Sequence, residues 1–142
     1  DMSYFSSMFF DEIYHGRTAY EVIHGLKLYD NAHPNVGKLL IASGIKAFGM
    51  TPFGWRLTNV LFGTLFIVVF YYFSLILFDS ERLAFAGALL LTYSFMHFTQ
   101  ARVALIDTFG VLFVFISYYF LYRFIIKQNL SPLLLSGLFF GL

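Results

Sequence analysis

Asp11 and Glu12 stand side by side in a polar stretch of the sequence. On a helix, neighbours point about 100° apart, so one carboxylate can face a cleft while the other faces protein or water. A general base with a supporting partner has that form. A solvated acid pair at a helix start, favoured there by the helix dipole, has it too. Tyr14 and His15 follow within a turn and can line the same cleft, and Arg17 is spaced to pair with Glu21 at i,i+4. A second group is His33-Pro34-Asn35-Val36-Gly37-Lys38. Pro34 suits a helix start, whose free N–H groups can receive an anion, and Lys38 one turn in adds a point charge for a phosphate. The alternative is a turn followed by an interfacial helix whose lysine reaches for head groups. A third set is Arg102 and Asp107 at the edge of an apolar stretch, beside Gln100. Ionisable residues at membrane depth mark functional sites by default. Their spacing puts them on different helix faces, so Arg102 is a candidate for a lipid phosphate and Asp107 for holding a neighbouring cation; a structural charge pair between helices is the other reading. Arg56, beside Trp55, suits an interfacial anchor or a phosphate ligand equally.

The elements that must position these groups follow from composition. The chain has 142 residues, 59% hydrophobic and 12% charged, with 20 Phe, 10 Tyr and no Cys. A soluble domain carries about 25% charged residues, so this chain lacks the charge to cover a surface of its own. A net charge of +1 gives no case for nucleic acid, and without Cys there is neither a disulfide framework nor a Cys-based metal site. No metal-ligand spacing is evident among the His residues, and no cofactor is named by the residues; the pattern neither requires nor excludes a divalent ion. A membrane span needs roughly 20 apolar residues. The expected spans are about 57–78, 83–100, 103–124 and 132–142, the last cut short, with caps expected at Thr51, Ser80 and Ser131. The chain starts at Asp1 and ends within an apolar run, which reads as an internal piece of a longer protein.

Residues 1–55 differ in kind and hold five of the acids and three of the four His. A polar segment this long is not an idle connection in a compact bundle. Two short helices are expected in it, about 11–24 and 34–48, the second lying along the membrane surface. The chain thus divides into a loop with interfacial helices, 1–55, and transmembrane helices, 56–142. Span parity puts Gln100, Arg102 and Asp107 on the membrane side that carries Asp11, Glu12, His33 and Lys38. That side holds six basic residues against three on the other, which by the positive-inside rule would make it cytoplasmic.

Four pieces of the sequence, in order, resemble the protein O-mannosyltransferase family, in its prokaryotic members that use a phospholipid carrier. They are Phe10-Asp11-Glu12-Ile13-Tyr14-His15-Gly16-Arg17, His33-Pro34-x-x-Gly37-Lys38-Leu39-Leu40, Pro52-Phe53-Gly54-Trp55-Arg56-Leu57, and His97-Phe98-Thr99-Gln100-Ala101-Arg102 through Asp107. Where the family reads His-Pro-Pro-Leu-Gly-Lys, this chain has Asn35 and Val36. The resemblance implies an all-α, polytopic membrane glycosyltransferase fragment of the GT-C type with a helical, extracytoplasmic first loop, against the positive-inside count. It implies the plasma membrane of a prokaryote and inverting transfer of mannose from a polyprenyl or dolichyl phosphate to a Ser or Thr hydroxyl of a protein. By resemblance Asp11 is the general base with Glu12 beside it; Lys38, Arg56 and Arg102 are the candidates to hold the donor phosphate, and Tyr14, His15, Arg17, His33, Gln100 and Asp107 to support the site. The expected partners are the lipid-linked sugar, a protein acceptor and membrane lipids. A relative that passes the sugar to a lipid or glycan is the nearest alternative. A transporter or channel piece is the alternative of another class, but it calls for Gly or Pro in mid-span near the charges, whereas the prolines here fall at helix starts.

Overall fold

The computed structural model describes residues 7–30 and 33–142. Asp1 and Ser6 therefore lie outside the described residues. Those residues form seven helices and no strand: α1 Glu12–Ile23, α2 Asn35–Phe48, α3 Pro52–Phe78, α4 Glu81–Thr92, α5 Phe95–Gln100, α6 Asp107–Lys127 and α7 Leu130–Phe140. The fold is all-α, as expected. α3 and α6 are both long and apolar enough to cross a membrane. At about 1.5 Å per residue the 27 residues of α3 reach roughly 40 Å, beyond the ~30 Å of a bilayer's hydrocarbon core. Leu61, Leu65, Val68 and Tyr72 stand exposed along α3, a stripe at helical spacing that suits an apolar surrounding.

The helix starts follow local chemistry. Thr51 caps α3, its hydroxyl accepting from the Gly54 N–H at 3.1 Å, with Pro52 in the first turn. α3 thus begins ahead of Leu57, and Trp55 and Arg56 belong to its first turns. Ser80 caps α4. The cap of α7 is Asn129, which accepts from the Ser131 N–H at 3.2 Å; the expected cap Ser131 lies inside the first turn instead. Gly49 ends α2 with φ 76°, a left-handed conformation that glycine adopts without strain.

Two expected spans differ in outline. The stretch 83–100 is broken at Tyr93–Ser94 into α4 and α5, and at 12 residues α4 spans only about 18 Å. The helix expected from Val103 starts only at Asp107, because side chains from elsewhere take the backbone groups of residues 104 and 105, as described below.

The core gathers at one end of the helices. Ala19 of α1, Ile41, Ala42 and Ile45 of α2, Trp55 of α3, Ala104 and Phe109 pack as one cluster. α1 lies on α2, α2 on α3, and α3 on α6. Close approach depends on small residues. A Cβ added at Gly63 of α3 would meet the Ala101 Cβ at 2.5 Å, so Gly63 sets how near the α5–α6 connection lies to α3. Gly63→Ala should therefore lower stability. The gain of about 1 kcal/mol in helix propensity is outweighed by an overpacking cost of about 1–3 kcal/mol, because the Ala101 methyl cannot rotate away. Thermal unfolding of the complete protein in detergent checks this; an unchanged or higher midpoint would mean that the connection is not held against α3.

Candidate active site

Glu12 is fully buried on the first turn of α1. Its carboxylate takes a two-pronged contact from Arg56, Nε to Oε1 and Nη2 to Oε2, each 2.7 Å. The Ala104 N–H donates to Oε1 at 2.8 Å and the Phe9 N–H to Oε2 at 3.0 Å. Planar guanidinium and carboxylate match in this geometry, which is the strong form of such a pair. Glu12 therefore faces protein, and of the two acids it is Asp11 that is left to face a cleft. Glu12 joins α1, the start of α3 and the connection before α6. Arg56, 3% exposed, is likewise turned to Glu12 and not toward the outside, contrary to its expected place at a phosphate or as an interfacial anchor.

Asn59, one helical turn after Arg56 and fully buried, extends this joint. Its amide donates to the Leu105 carbonyl at 2.6 Å. Between them Glu12 and Asn59 take the Ala104 N–H and the Leu105 C=O, and the backbone there cannot close into helix. Asn59 was not singled out by sequence, although an amide inside an apolar run is a signal.

Asp11 occupies the cap position of α1 and is half-buried; its side chain makes no capping bond. Among the described residues its carboxylate has no hydrogen-bond partner. The two acids are thus separated by environment, one locked and one accessible.

Lys38 is 1% exposed. Its ammonium donates to the Asp30 carbonyl at 2.7 Å and the His33 carbonyl at 3.1 Å, and lies 3.1 Å from Asp30 Oδ2. His33 Nδ1 meets the same carboxylate oxygen at 2.8 Å. Lys38 points back into its own loop, so neither the snorkelling nor the phosphate-facing position expected for it is found. Asp30, which organises this loop, was missed; its place three residues before His33 was the available signal.

His15 is buried, its ring edge-on to His33 with centroids 5.5 Å apart. Its Nδ1 has no partner among the described residues. Burial holds the His15 pKa below the ordinary 6.5; the nearby His33 lowers it further, while Asp11 and Asp30 oppose the shift. Tyr14 and Arg17 lie on the exposed face of α1, where Arg17 pairs with Glu21 at 2.8 Å, as the i,i+4 spacing predicts.

Arg102 lies in the connection between α5 and α6, half-buried, with its guanidinium 4.7 Å from the Phe98 ring centre. Among the described residues no carboxylate pairs with it. Asp107, exposed at the start of α6, lines two clefts. One, of about 460 Å³, is bordered also by Phe66, Met96, His97 and Gln100. The other, of about 320 Å³, is bordered by His33, Pro34 and Gly37. Gln100 and His33 thus each border a cleft that Asp107 also lines. Among the described residues no three His, Asp or Glu side chains converge as metal ligands.

This combination defines a class: a membrane-type helical protein with an acid-bearing helical loop folded over one end of its long apolar helices. Residues 32–142 match the model of the family described as dolichyl-phosphate-mannose-protein mannosyltransferase, and the chain belongs to that family. The polyprenol-phosphate-mannose–protein mannosyltransferase of Mycobacterium tuberculosis (strain CDC 1551 / Oshkosh) is 33% identical over 111 residues, covering 74% of this chain and 21% of that protein. Its counterpart in Mycolicibacterium smegmatis (strain ATCC 700084 / mc(2)155) is 31% identical over 110 residues, 73% of this chain and 21% of that protein. The chain therefore spans about a fifth of the length of these curated relatives. No solved structure matches it. The family match begins after α1, so Asp11 and Glu12 lie outside it, while Lys38, Arg56, Arg102 and Asp107 lie within.

Two outcomes follow from this geometry. Glu12→Gln leaves a buried guanidinium without its counter-charge, a defect of about 3–5 kcal/mol. The variant should unfold at a markedly lower temperature than wild type, and Glu12→Leu combined with Arg56→Met should recover part of the loss. A wild-type midpoint for Glu12→Gln would refute the joint. The His15 prediction concerns pH. A buried, neutral His15 binds fewer protons folded than unfolded, so stability rises with pH in the window below 6.5 and is lost as pH falls through it. Unfolding midpoints taken from pH 7 down to about 5.5 should fall more steeply for wild type than for His15→Gln. Parallel curves would mean that His15 is not the titrating group.

Proposed function

We propose that the complete protein transfers mannose from a polyprenyl or dolichyl phosphate to a Ser or Thr hydroxyl of a protein, with inversion at the sugar's anomeric carbon. Asp11 is the base. The observation that carries this reading is the division of the acids: Glu12 is locked by Arg56, whereas the Asp11 carboxylate is half-buried and unbonded among the described residues. The printed names of the relatives, which couple a polyprenol-phosphate-mannose donor to a protein acceptor, support the substrate classes.

The chemistry balances as a single displacement. The acceptor oxygen bonds to the anomeric carbon as its proton passes to an Asp11 oxygen. The bond from that carbon to the phosphate oxygen breaks, and its electron pair leaves with the lipid phosphate. A neutral hydroxyl is a weak nucleophile, which is why the base matters. Arg102 meets the negative charge that grows on the leaving phosphate; preorganised donors of this kind are worth about 10²–10³ in rate. It has no carboxylate partner among the described residues, and the next residues of its connection are fixed by Glu12 and Asn59. Arg56 and Lys38 serve by holding the frame. GT-C architecture, the plasma membrane of a prokaryote and an extracytoplasmic position for α1 and α2 complete the reading; the two apolar helices support its membrane setting, and the core that gathers α1, α2 and residue 104 supports their lying on one side.

Asp11→Asn keeps size and removes basicity. With the complete protein and a synthetic polyprenyl phosphate mannose, turnover should fall about 10²–10⁴ without loss of thermal stability. Arg102→Gln should weaken use of the lipid donor and leave the peptide's apparent affinity nearly unchanged. In sealed right-side-out vesicles an impermeant peptide should be modified without permeabilisation. Wild-type turnover by Asp11→Asn would remove Asp11 from the mechanism. Transfer to lipid or glycan but not to peptide would favour the alternative acceptor class.

A further inference from the structure

One helical turn beyond Asp11, two large aromatic side chains stand in the open. Tyr14 is 47% and Tyr29 58% exposed. Their rings are parallel, with planes 5° apart and centroids 6.3 Å apart. The Arg17 guanidinium covers the Tyr29 ring at 4.1 Å from its centre. Beneath them the buried Glu21 carboxylate accepts from Arg17 Nε at 2.8 Å and from the Tyr29 N–H at 2.7 Å. The Tyr29 bond is the main reason that the Glu21 pKa lies below its ordinary value. A buried acid thus holds both the cation and the loop in register, while both tyrosine side chains stay exposed.

An exposed pair of stacked rings beside a cation is a candidate interaction surface. Tyrosine suits one because it gives flat contact area at low entropy cost and a hydroxyl at its tip. Arg17 binds Glu21 through Nε only, and among the described residues its terminal nitrogens have no partner. Parallel rings beside guanidinium donors fit a polypeptide: flat amides lie on the rings, and carbonyl oxygens accept from Arg17. A lipid tail would leave the guanidinium and hydroxyls unmatched, and a lipid phosphate would use Arg17 but not the rings. The position agrees. Tyr14 is at i+3 from Asp11, its N–H bonded to the Asp11 carbonyl at 3.0 Å, so the platform begins at the position next to Asp11 on the surface of α1.

We propose that Tyr14, Tyr29 and Arg17 form the surface on which an extended segment of the acceptor polypeptide binds, presenting its hydroxyl to Asp11. The proposal rests on the reading of Asp11 as base and adds where the acceptor lies. It is tested with the complete protein, a synthetic polyprenyl phosphate mannose and a synthetic peptide bearing one threonine. Tyr14→Ala and Tyr29→Ala should each raise the peptide's KM about tenfold, with kcat and the KM of the lipid donor unchanged. Tyr29→Phe, which keeps the ring, should restore most of the peptide affinity. A wild-type peptide KM in the Tyr14→Ala/Tyr29→Ala double variant overturns the proposal, and so does a rise confined to the donor's KM, or a lowered melting temperature with unaltered peptide KM, which would mean that another part of the protein covers the platform. The two readings fail separately. A raised peptide KM in the tyrosine variants beside full turnover by Asp11→Asn would keep the platform and discard the base. An inactive Asp11→Asn beside tyrosine variants of wild-type peptide KM would do the reverse.

Discussion

One buried carboxylate organises this end of the molecule. Glu12 accepts from Arg56 twice, from the Ala104 amide and from the Phe9 amide. Taking a carboxylate and a guanidinium out of water costs several kcal/mol per ion, and only near-complete hydrogen bonding makes that tolerable. The geometry meets the requirement, and the result is a joint between three segments far apart in sequence. A methyl-sized shift in any of them would break several short bonds together, so the segments hold one another in a single arrangement.

The joint has a companion in the Lys38 loop, where an ammonium gathers two carbonyls and a carboxylate. Both ties draw a cation inward. Of the three basic residues considered for the donor phosphate, two are thereby committed to buried ties, Arg56 to a carboxylate and Lys38 to loop carbonyls, and Arg102 is the one left facing no carboxylate among the described residues. Arg56 and Lys38 are therefore structural charges at this end.

What was legible in the sequence was local. α1 and α2 follow from periodicity and their Gly stops, and α3 from its Thr51-Pro52 start. The Arg17–Glu21 pair needs only helical spacing. What escaped was set by distant partners. Nothing in the apolar run 103–106 says that it avoids helix; that depends on Glu12 and Asn59 capturing its backbone groups. The Glu12–Arg56 pair escaped for the same reason, since 44 positions separate the two residues and no periodic rule connects them. The break at Tyr93–Ser94 lies in a stretch whose hydropathy barely changes. Asn129 took the cap from Ser131 because two capping residues two positions apart compete, and sequence gives no rank between them.

The Ala104 amide that binds Glu12 comes 92 positions later in the chain. During synthesis Glu12 and Arg56 emerge long before that amide exists. The fourth bond to the acid cannot form until α3, α4 and α5 have been made and the chain has turned back to the end where it began. The site is therefore among the last features of this region to close, and its completion reports that the intervening helices have been laid down in order.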